Sequence, residues 1–360
     1  MPDKQDRSAD EVRFGAFLST GRFGAMNETD IYDQTVAMAD AAVVAGFDAI
    51  WTNEHHFNPT VVCPNAITLA GHLAGRTGLP VGTAVTLLPH HNPIRVAEEA
   101  AMLDHLTGGR FTLGIGRGGP GIDYEVFADG LAHYERGIDE ALELVRASWS
   151  GEVSSDTDLY RFQTVNPIPK PRTAGGPPLT IATISEDAVE RAARFGVSML
   201  MFSDMSPETI ATMIDLHAER TEALGGPAGP YDHAAAVVVQ VADSDDEAAA
   251  LIREPMQAFQ LEASRGFTTM PGVERRRRYD EKSVAAGTER LLATNPVGSP
   301  DTVAERLTSF VETSGCRSLL LIVEYTPELD QRLDNITRLG AEVFPRVRAA
   351  VGSREPASAG

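Results

Sequence analysis

The sequence has few cysteines, few aromatic residues and no long apolar run. Cys63 and Cys316 are the only two cysteines in 360 residues, too few for a disulfide framework or for the paired cysteines of a zinc site. No apolar stretch approaches about 18 residues, the length of a membrane-spanning helix. The polar first dozen residues lack the apolar core of a signal peptide. We therefore expect a soluble, reduced, cytoplasmic protein.

Basic residues are also scarce relative to acidic ones. The chain carries 31 Lys and Arg against 51 Asp and Glu, which gives a formal net charge of −20. Such a charge repels a polyanion over most of the surface and argues against nucleic-acid binding. Hydrophobic residues make up 42% of the chain and charged residues 23%, the balance of an ordinary folded protein.

The chain contains a regular alternation of short apolar runs with longer helical patterns. Eight runs are predicted to be strands, at residues 13–18, 47–51, 80–88, 110–115, 178–183, 197–202, 234–241 and 318–323. Helices are predicted at residues 31–45, 66–74, 93–106, 185–195, 206–224, 300–314 and 328–348. Most of the strand runs are continuously apolar, which is typical of parallel strands buried on both faces.

This alternation predicts a single (β/α)8 TIM barrel over residues 13–348, with loose tails at 1–12 and 349–360. A doubly wound sheet is the weaker alternative, because no GxGxxG sequence follows the first strand. The gaps at 116–177 and 242–317 are too long for simple connections. They predict long insertions after strands 4 and 7.

Four of the nine histidines follow the second and third predicted strands. Active sites of such barrels lie at the carboxyl ends of the strands, so these histidines are expected at one face. His55 is predicted to be a general base or a hydrogen-bonding group in a pocket, because imidazole titrates near neutral pH. The alternative is a histidine buried in the wall, and this alternative is stronger for His56. His90 and His91 lie in a turn before the next helix and are predicted to be structural.

We expect no metal ion at this face. Adjacent histidines at the end of a strand point to opposite sides, and neither an HxH nor an HExxH spacing is present. A run of four arginines, residues 275–278, lies in the gap before the last strand. In so acidic a chain it is predicted to be a solvated helix face or a partner of nearby acids, with a phosphate or lid role as the alternative.

A phosphate site is predicted at the ends of strands 4 and 5. Arg117 lies in a glycine-rich loop after strand 4, where backbone N–H groups and a guanidinium suit an anion. Ser185 begins a helix after strand 5, where its hydroxyl joins the positive end of the helix dipole. The alternatives are a solvated arginine in a flexible loop and an ordinary helix cap. Arg117 and Ser185 follow neighbouring strands, which favours a shared site.

Several longer motifs stand out along the chain: EHHF within GFDAIWTNEHHFNP, the stretch LLPHHNPIRVAEEAAMLDHLTGGRFTLGIGRG, and the segments RFGAFL, ISEDAVERAARFG and NPVGSPDTVAERL. Through these motifs the sequence resembles the bacterial luciferase-like, flavin-dependent monooxygenases over nearly its whole length. The resemblance implies a (β/α)8 barrel and an oxidoreductase that uses reduced FMN and O2 to oxygenate a hydrophobic organic substrate. The oxygenation would proceed through a flavin C4a-peroxide, on an aldehyde, a ketone or an aromatic ring. The resemblance also implies a separate flavin reductase and a homodimer.

The resemblance assigns roles to individual residues. His55 matches the pocket histidine linked to the oxygen chemistry, and Arg117 and Ser185 match the residues that hold the flavin phosphate. A non-prolyl cis peptide beneath the flavin ring falls at Ala84–Val85. The mobile lid of the luciferases matches part of the region 264–292.

The chain also departs from the luciferases. Ile184 stands where they have a glutamate before the phosphate-binding serine, and Gly116 stands where they have a reactive cysteine. Two other functions remain open on the same barrel: a deazaflavin-dependent hydride-transfer enzyme and a flavin-binding protein without turnover. Four apolar residues near the strand ends favour a hydrophobic substrate, with a purely structural role as the alternative: Phe17, Leu87, Phe202 and Met205.

Overall fold

The predicted strands form the wall of a closed parallel barrel in the computed structural model, which describes residues 11–226, 231–273 and 279–352. The strands are β1 (Arg13–Leu18), β2 (Ala49–Thr52), β3 (Val81–Thr83), β4 (Thr86–Leu87), β5 (Phe111–Gly116), β6 (Val153–Asp156), β7 (Arg161–Val165), β8 (Leu179–Ala182), β9 (Ser198–Met201), β10 (Ala234–Val238), β11 (Gln240–Val241), β12 (Val297–Gly298) and β13 (Ser318–Ile322). The wall follows the order β1, β2, β3, β5, β8, β9, β10, β13, and it closes where β13 pairs with β1. The TIM-barrel prediction is confirmed.

Helices surround this wall. They are α1 (Glu28–Ala45), α2 (Ala66–Thr77), α3 (Pro93–Thr107), α4 (Asp123–Phe127), α5 (Gly130–Ser150), α6 (Glu186–Phe195), α7 (Pro207–Ala223), α8 (Asp245–Gly266), α9 (Glu281–Thr294), α10 (Pro300–Ser314), α11 (Leu329–Arg338) and α12 (Phe344–Gly352). A π-helical turn at Leu339–Val343 joins α11 to α12. None of the described helices combines the length and the apolar character needed to cross a membrane.

The predicted tails are only partly covered by the described residues. At the amino end, Val12 lies within the predicted tail and is buried against the core. At the carboxyl end, α12 continues to Gly352 and buries Val351, so it reaches into the predicted tail. The four arginines at 275–278 lie outside the described residues.

Both long gaps carry the predicted insertions. Between β5 and β8 the chain forms α4, α5 and the antiparallel hairpin of β6 and β7. Between β10 and β13 it forms α8, α9 and α10, together with the short parallel pair of β11 and β12. The helices α4, α8 and α9 contribute residues to the cavity described below, so the insertions build part of the site.

The third strand of the barrel wall is interrupted between β3 and β4. Gly82 on β3 pairs with Thr112, whereas Thr86 on β4 pairs with Ile115. Three residues lie between these two pairs on the strand formed by β3 and β4, but only two lie between them on β5. The extra residue forms a β-bulge. The peptide bond Ala84–Val85 inside this bulge is cis, and the predicted cis peptide is confirmed.

Beside the bulge, the Thr83 side chain makes hydrogen bonds that take the place of regular backbone hydrogen bonds between the strands. The Thr83 hydroxyl donates to the carbonyl of Gly114 at 2.7 Å and accepts from the Gly114 N–H at 3.0 Å. The two chains approach so closely that a Cβ atom on Gly114 would lie 1.8 Å from the Thr83 carbonyl oxygen. Only glycine fits at this position, because the obstructing atom belongs to the backbone.

We expect Gly114→Ala to lower the free energy of unfolding by about 3 kcal/mol, the upper part of the range for overpacking. The matched control is Gly75→Ala within α2, where a Cβ atom meets nothing within 4 Å. This control should raise the free energy of unfolding by about 0.5–1 kcal/mol, because alanine favours helix. Urea denaturation measures both changes. Equal stability of the two variants would show that the bulge tolerates a side chain.

Candidate active site

The carboxyl ends of the barrel strands border a cavity of about 870 Å³. This volume lies within the range of roughly 300–1,000 Å³ that is typical of ligand pockets. The barrel side of the wall includes His55, His56, Leu87 and residues 118–122, and the insertion side includes Asp123, Phe259, Phe267, Arg290 and Leu291. A smaller cavity of about 200 Å³ includes Phe17, Ala84, Phe202 and Glu324 in its lining. His55 and Phe259 line both cavities and stand at their junction.

His55 is positioned by the loop that follows β2. Its backbone N–H donates to the carbonyl of Cys63 at 2.9 Å, and the loop then turns at Phe57, whose φ is +51°. His55 lines the large cavity and is exposed to it. Burial lowers the pKa of His55 to about 4, although the charge of Glu54 partly opposes this shift. The imidazole is therefore neutral at physiological pH and offers one donor and one acceptor nitrogen.

Glu54 lies behind His55 and organises two further histidines. Its Oε1 atom lies 2.7 Å from Nε2 of His91 and 3.2 Å from Nε2 of His56. Burial acts to raise the pKa of Glu54, but the hydrogen bonds from His56 and His91 prevail and lower it to about 2. Burial likewise acts against the charged form of His91, yet its hydrogen bond to Glu54 raises the pKa of His91 overall. His91 thus has a defined partner, in agreement with its predicted structural role.

His90 is buried beside this group. Its side chain is 1% exposed, and neither ring nitrogen has a hydrogen-bond partner. The Asp123 carboxylate lies 3.7 Å from His90 Nε2, which is beyond a hydrogen bond. Burial lowers the pKa of His90 to about 3, so its ring is neutral. One ligand-type atom each of Glu54, His56 and His90 lies within 4.8 Å of the others.

Arg117 and Ser185 leave neighbouring strands at one edge of the barrel. Their strands β5 and β8 are parallel neighbours, with Ile115 paired to Ile181. Ser185 caps α6 through its backbone, but its hydroxyl makes no capping hydrogen bond. That hydroxyl is consequently available to a ligand. Neither Arg117 nor Ser185 lines the two cavities, so this pair lies outside the pocket wall that His55 occupies.

Two tyrosines of the first insertion hold Arg117. The guanidinium carbon lies 4.3 Å from the ring centroid of Tyr134, a cation–π contact, and Tyr124 donates its hydroxyl proton to the Arg117 carbonyl at 2.6 Å. Among the described residues, no carboxylate forms an ion pair with Arg117. Its positive charge is therefore oriented without being neutralised, as an anion-binding residue requires.

The glycine that replaces the luciferase cysteine has a local explanation. A Cβ atom on Gly116 would lie 2.5 Å from Cγ2 of Val85 and 3.3 Å from the Cβ of Ala182. Val85, the second residue of the cis peptide, thus fills the space that a side chain at position 116 would need. Val85 itself lines neither cavity, whereas Ala84 lines the smaller one.

The described part of the predicted lid region closes over the glycine-rich loop. The Ile122 N–H donates to the carbonyl of Thr268 at 2.9 Å, and the Met270 N–H donates to the carbonyl of Pro120 at 3.1 Å. Phe267, in the same segment, lines the large cavity. These contacts place the segment as a wall of the pocket, and its mobility stays a prediction.

The four apolar residues expected near the site line the cavities. Leu87 and Met205 border the large cavity, and Phe17 and Phe202 border the small one.

Sequence patterns did not indicate an aromatic pair near the rim. Phe57 and Phe127 stack with ring centroids 5.5 Å apart and an interplanar angle of 11°, and both are exposed. The His56 ring lies 4.7 Å from Phe127. Phe127 belongs to an insertion helix that folds back onto the β2 loop, and no spacing along the chain reveals that contact.

Comparison with known proteins decides the family. A family model described as luciferase-like monooxygenase matches residues 12–317. The chain belongs to this family. It is accordingly an oxidoreductase of the monooxygenase type. Over 349 residues it is 24% identical to the alkanal monooxygenase alpha chain of Photorhabdus luminescens, with 93% of this chain and 96% of that one covered.

Solved structures share the fold of this luciferase-like protein. Monooxygenase RslO1 from Streptomyces bottropensis superposes with a TM-score of 0.77 at 21% identity, covering 92% of this chain and 99% of that one. The oxygenating constituent of 3,6-diketocamphane monooxygenase from Pseudomonas putida, solved with FMN, has a TM-score of 0.75 at 18% identity, with 93% and 98% covered. An F420-dependent secondary alcohol dehydrogenase has a TM-score of 0.73 at 18% identity, with 94% and 99% covered.

Proposed function

We propose that this protein is the oxygenase component of a two-component monooxygenase, which takes reduced FMN from a separate reductase and uses O2 to oxygenate a small hydrophobic organic substrate. The observation that carries the proposal is the convergence of a neutral His55, the Ala84–Val85 segment after β3 and the Arg117–Ser185 pair at one end of the barrel. The neighbour described as an oxygenating constituent in complex with FMN supports both the cofactor and the partner reductase.

The chain offers suitable groups for the phosphate of FMN. Arg117 would supply charge-assisted hydrogen bonds from a guanidinium already oriented by Tyr134. Ser185 would supply its hydroxyl, which makes no capping hydrogen bond, and α6 would supply the backbone N–H groups of its N-terminus. Gly118 and Gly119, which line the cavity, allow a close approach to the backbone. Reduced FMN, when bound, supplies the electrons that activate O2.

The protein's own side chains would then control protons and water. A neutral His55 at the junction of the two cavities can accept or hold a proton at a ring nitrogen. Phe259, Phe267 and Leu291 form apolar parts of the wall and would limit the access of water to the reacting atoms. The same apolar lining favours a hydrophobic aldehyde, ketone or aromatic ring as the substrate.

We extend the proposal to a cytoplasmic homodimer. Both cysteines are buried free thiols, which is the state that a reducing compartment maintains. The outward face of α3 exposes Met102 and Leu106, with 52% and 75% of their surface accessible, and such apolar side chains suit a subunit contact. The neighbouring helix α2 buries its apolar residues Ala66, Ile67, Ala70 and Leu73, so α3 is the better candidate for the contact. Sedimentation equilibrium measures the association state.

The proposal is tested by anaerobic titration of the purified protein with photoreduced FMN, followed by rapid mixing with oxygenated buffer. We expect saturable binding, and reoxidation that is slower than that of free reduced FMN because the walls exclude water. Carbonyl and aromatic compounds added before mixing should yield an oxygenated product. Failure to bind reduced FMN, or reoxidation at the rate of the free cofactor, would refute the proposal.

A parallel titration with reduced F420 distinguishes the second candidate function, a hydride-transfer enzyme, from the monooxygenase. The F420-dependent neighbour favours a hydride-transfer enzyme on the same barrel. Such an enzyme binds reduced F420 more tightly than reduced FMN and reduces its substrate without consuming O2. Tight binding of FMN without any product across the substrate series would instead indicate a flavin-binding protein without turnover.

A further inference from the structure

Three side chains that can bind a metal ion lie together beside the large cavity, which His56 lines, and they are separate from the residues assigned to FMN. Glu54 and His56 come from the loop after β2, and His90 comes from the turn after β4. One carboxylate oxygen and two ring nitrogens from these residues lie within 4.8 Å of one another. All three side chains are largely withdrawn from solvent, with exposures of 0%, 10% and 1% in the order given.

The unpaired, buried ring of His90 points to a ligand. A buried imidazole nearly always pairs at least one ring nitrogen, because an unpaired polar group in the interior costs about 1–3 kcal/mol. Both nitrogens of His90 lack a partner, although the ring is packed edge-on against Tyr124 at 4.3 Å. A metal ion between His90, His56 and Glu54 would satisfy one of these nitrogens.

We propose that Glu54, His56 and His90 bind one divalent first-row transition metal ion at the wall of the cavity. Two nitrogens and one carboxylate oxygen form a ligand set that suits Zn²⁺ and its neighbours rather than Mg²⁺ or Ca²⁺. This proposal goes beyond the proposed function and does not depend on flavin binding.

The distances agree with such a site. In a tetrahedral zinc site with bonds of about 2.0–2.1 Å, neighbouring ligand atoms lie about 3.3 Å apart. Glu54 Oε1 and His56 Nε2 are 3.2 Å apart. The His90 nitrogen lies within 4.8 Å of both and needs a movement of at most about 1.5 Å to complete the site.

Neighbouring groups complete the arrangement. His91 donates to the Glu54 carboxylate at 2.7 Å and would orient it toward the ion, as hydrogen bonds to ligating carboxylates do. Asp123 lies 3.7 Å from His90 and, like His56, lines the cavity. The ion would therefore keep an open side toward the cavity, where an oxygen or nitrogen atom of a substrate can coordinate.

The test is direct metal binding to the untagged, chelator-treated protein in the absence of flavin. We expect calorimetry with Zn²⁺ to show one ion per chain, and Co²⁺ to give visible absorption bands of a nitrogen- and oxygen-ligated ion. His90→Gln and His56→Gln should each weaken binding at least tenfold. His72→Gln removes an exposed histidine of α2 and should leave the affinity unchanged.

Thermal unfolding provides the second readout. Zn²⁺ should raise the Tm of the wild-type protein and of His72→Gln, and should leave the Tm of His90→Gln unchanged. If His90→Gln does not fold, His56→Gln replaces it, because that side chain is partly exposed. The proposal is overturned if the wild-type protein does not bind one Zn²⁺ ion per chain. It is also overturned if the His90→Gln and His56→Gln variants bind Zn²⁺ as tightly as the His72→Gln variant does. Neither result bears on FMN binding.

Discussion

Arg117→Ala should weaken the binding of reduced FMN about 10- to 150-fold, because a charge-assisted hydrogen bond contributes about 1.5–3 kcal/mol. The expectation rests on two features of the side chain. Tyr134 stacks against its guanidinium, and no described carboxylate neutralises it. The fixed charge can therefore interact with a phosphate without first breaking another ion pair. The measurement is anaerobic fluorescence titration with photoreduced FMN.

The control for this experiment is a remote arginine. Arg161→Ala removes an exposed cation from the hairpin, where it pairs with Asp156 at 2.8 Å, and it should leave FMN affinity unchanged. Ser185→Ala removes a hydrogen bond from an uncharged donor and should weaken binding about tenfold, less than the loss of the guanidinium does. Repeating the titration with riboflavin, which has no phosphate, should abolish the difference between Arg117→Ala and the wild type. Equal losses with both flavins would contradict a phosphate contact.

His55→Ala should lower the rate of product formation about 10²- to 10⁴-fold, the usual contribution of a positioned acid or base. Its affinity for reduced FMN should change little, because His55 lies at the junction of the cavities rather than with Arg117 and Ser185. We also expect more hydrogen peroxide per O2 consumed in the variant, since the oxygenated product no longer forms efficiently. Product yield and peroxide are measured in the same single-turnover reaction.

The pH dependence identifies the role of the imidazole. The pKa of His55 is lowered to about 4 by burial, so the ring is neutral above this pH and charged below it. A step that needs the neutral ring should run at a constant rate between pH 6 and 8 and should slow as the pH approaches 4. His72→Ala, on the exposed face of α2, serves as the control. A rate that changes with an apparent pKa near 6.5, or a loss of activity matched by a loss of FMN affinity, would contradict this role.

Much of the barrel was predictable from the sequence because strands buried on both faces must be continuously apolar. The first strand was predicted with its observed bounds, Arg13–Leu18, and α10 with its observed bounds, Pro300–Ser314. The predicted run 80–88 proved to be two short strands, because the bulge with the cis peptide lies inside it. An apolar pattern indicates that a segment is buried, but it does not indicate a change of register within the strand.

The site was predictable only where its residues directly follow strands. His55, Arg117 and Ser185 come after β2, β5 and β8 at the carboxyl end of the barrel for this reason, and their roles stay predictions. The contacts of His90 and Phe127 were not predictable, because each meets partners from a distant part of the chain. The expectation that no metal binds considered adjacent histidines and the short HxH and HExxH spacings, whereas the group of Glu54, His56 and His90 forms across two loops.

The sequence by itself determined the closed parallel barrel, the end at which its polar residues gather, and the family resemblance, since all three follow from patterns local to each strand and the loop after it. Only the tertiary structure decided which side chains meet across the barrel mouth. The insertions fold over that mouth and bring Tyr134 to Arg117, Asp123 to His90 and Phe267 to the cavity. Such contacts join residues far apart in the chain, and their geometry depends on the packing of whole elements rather than on any local spacing.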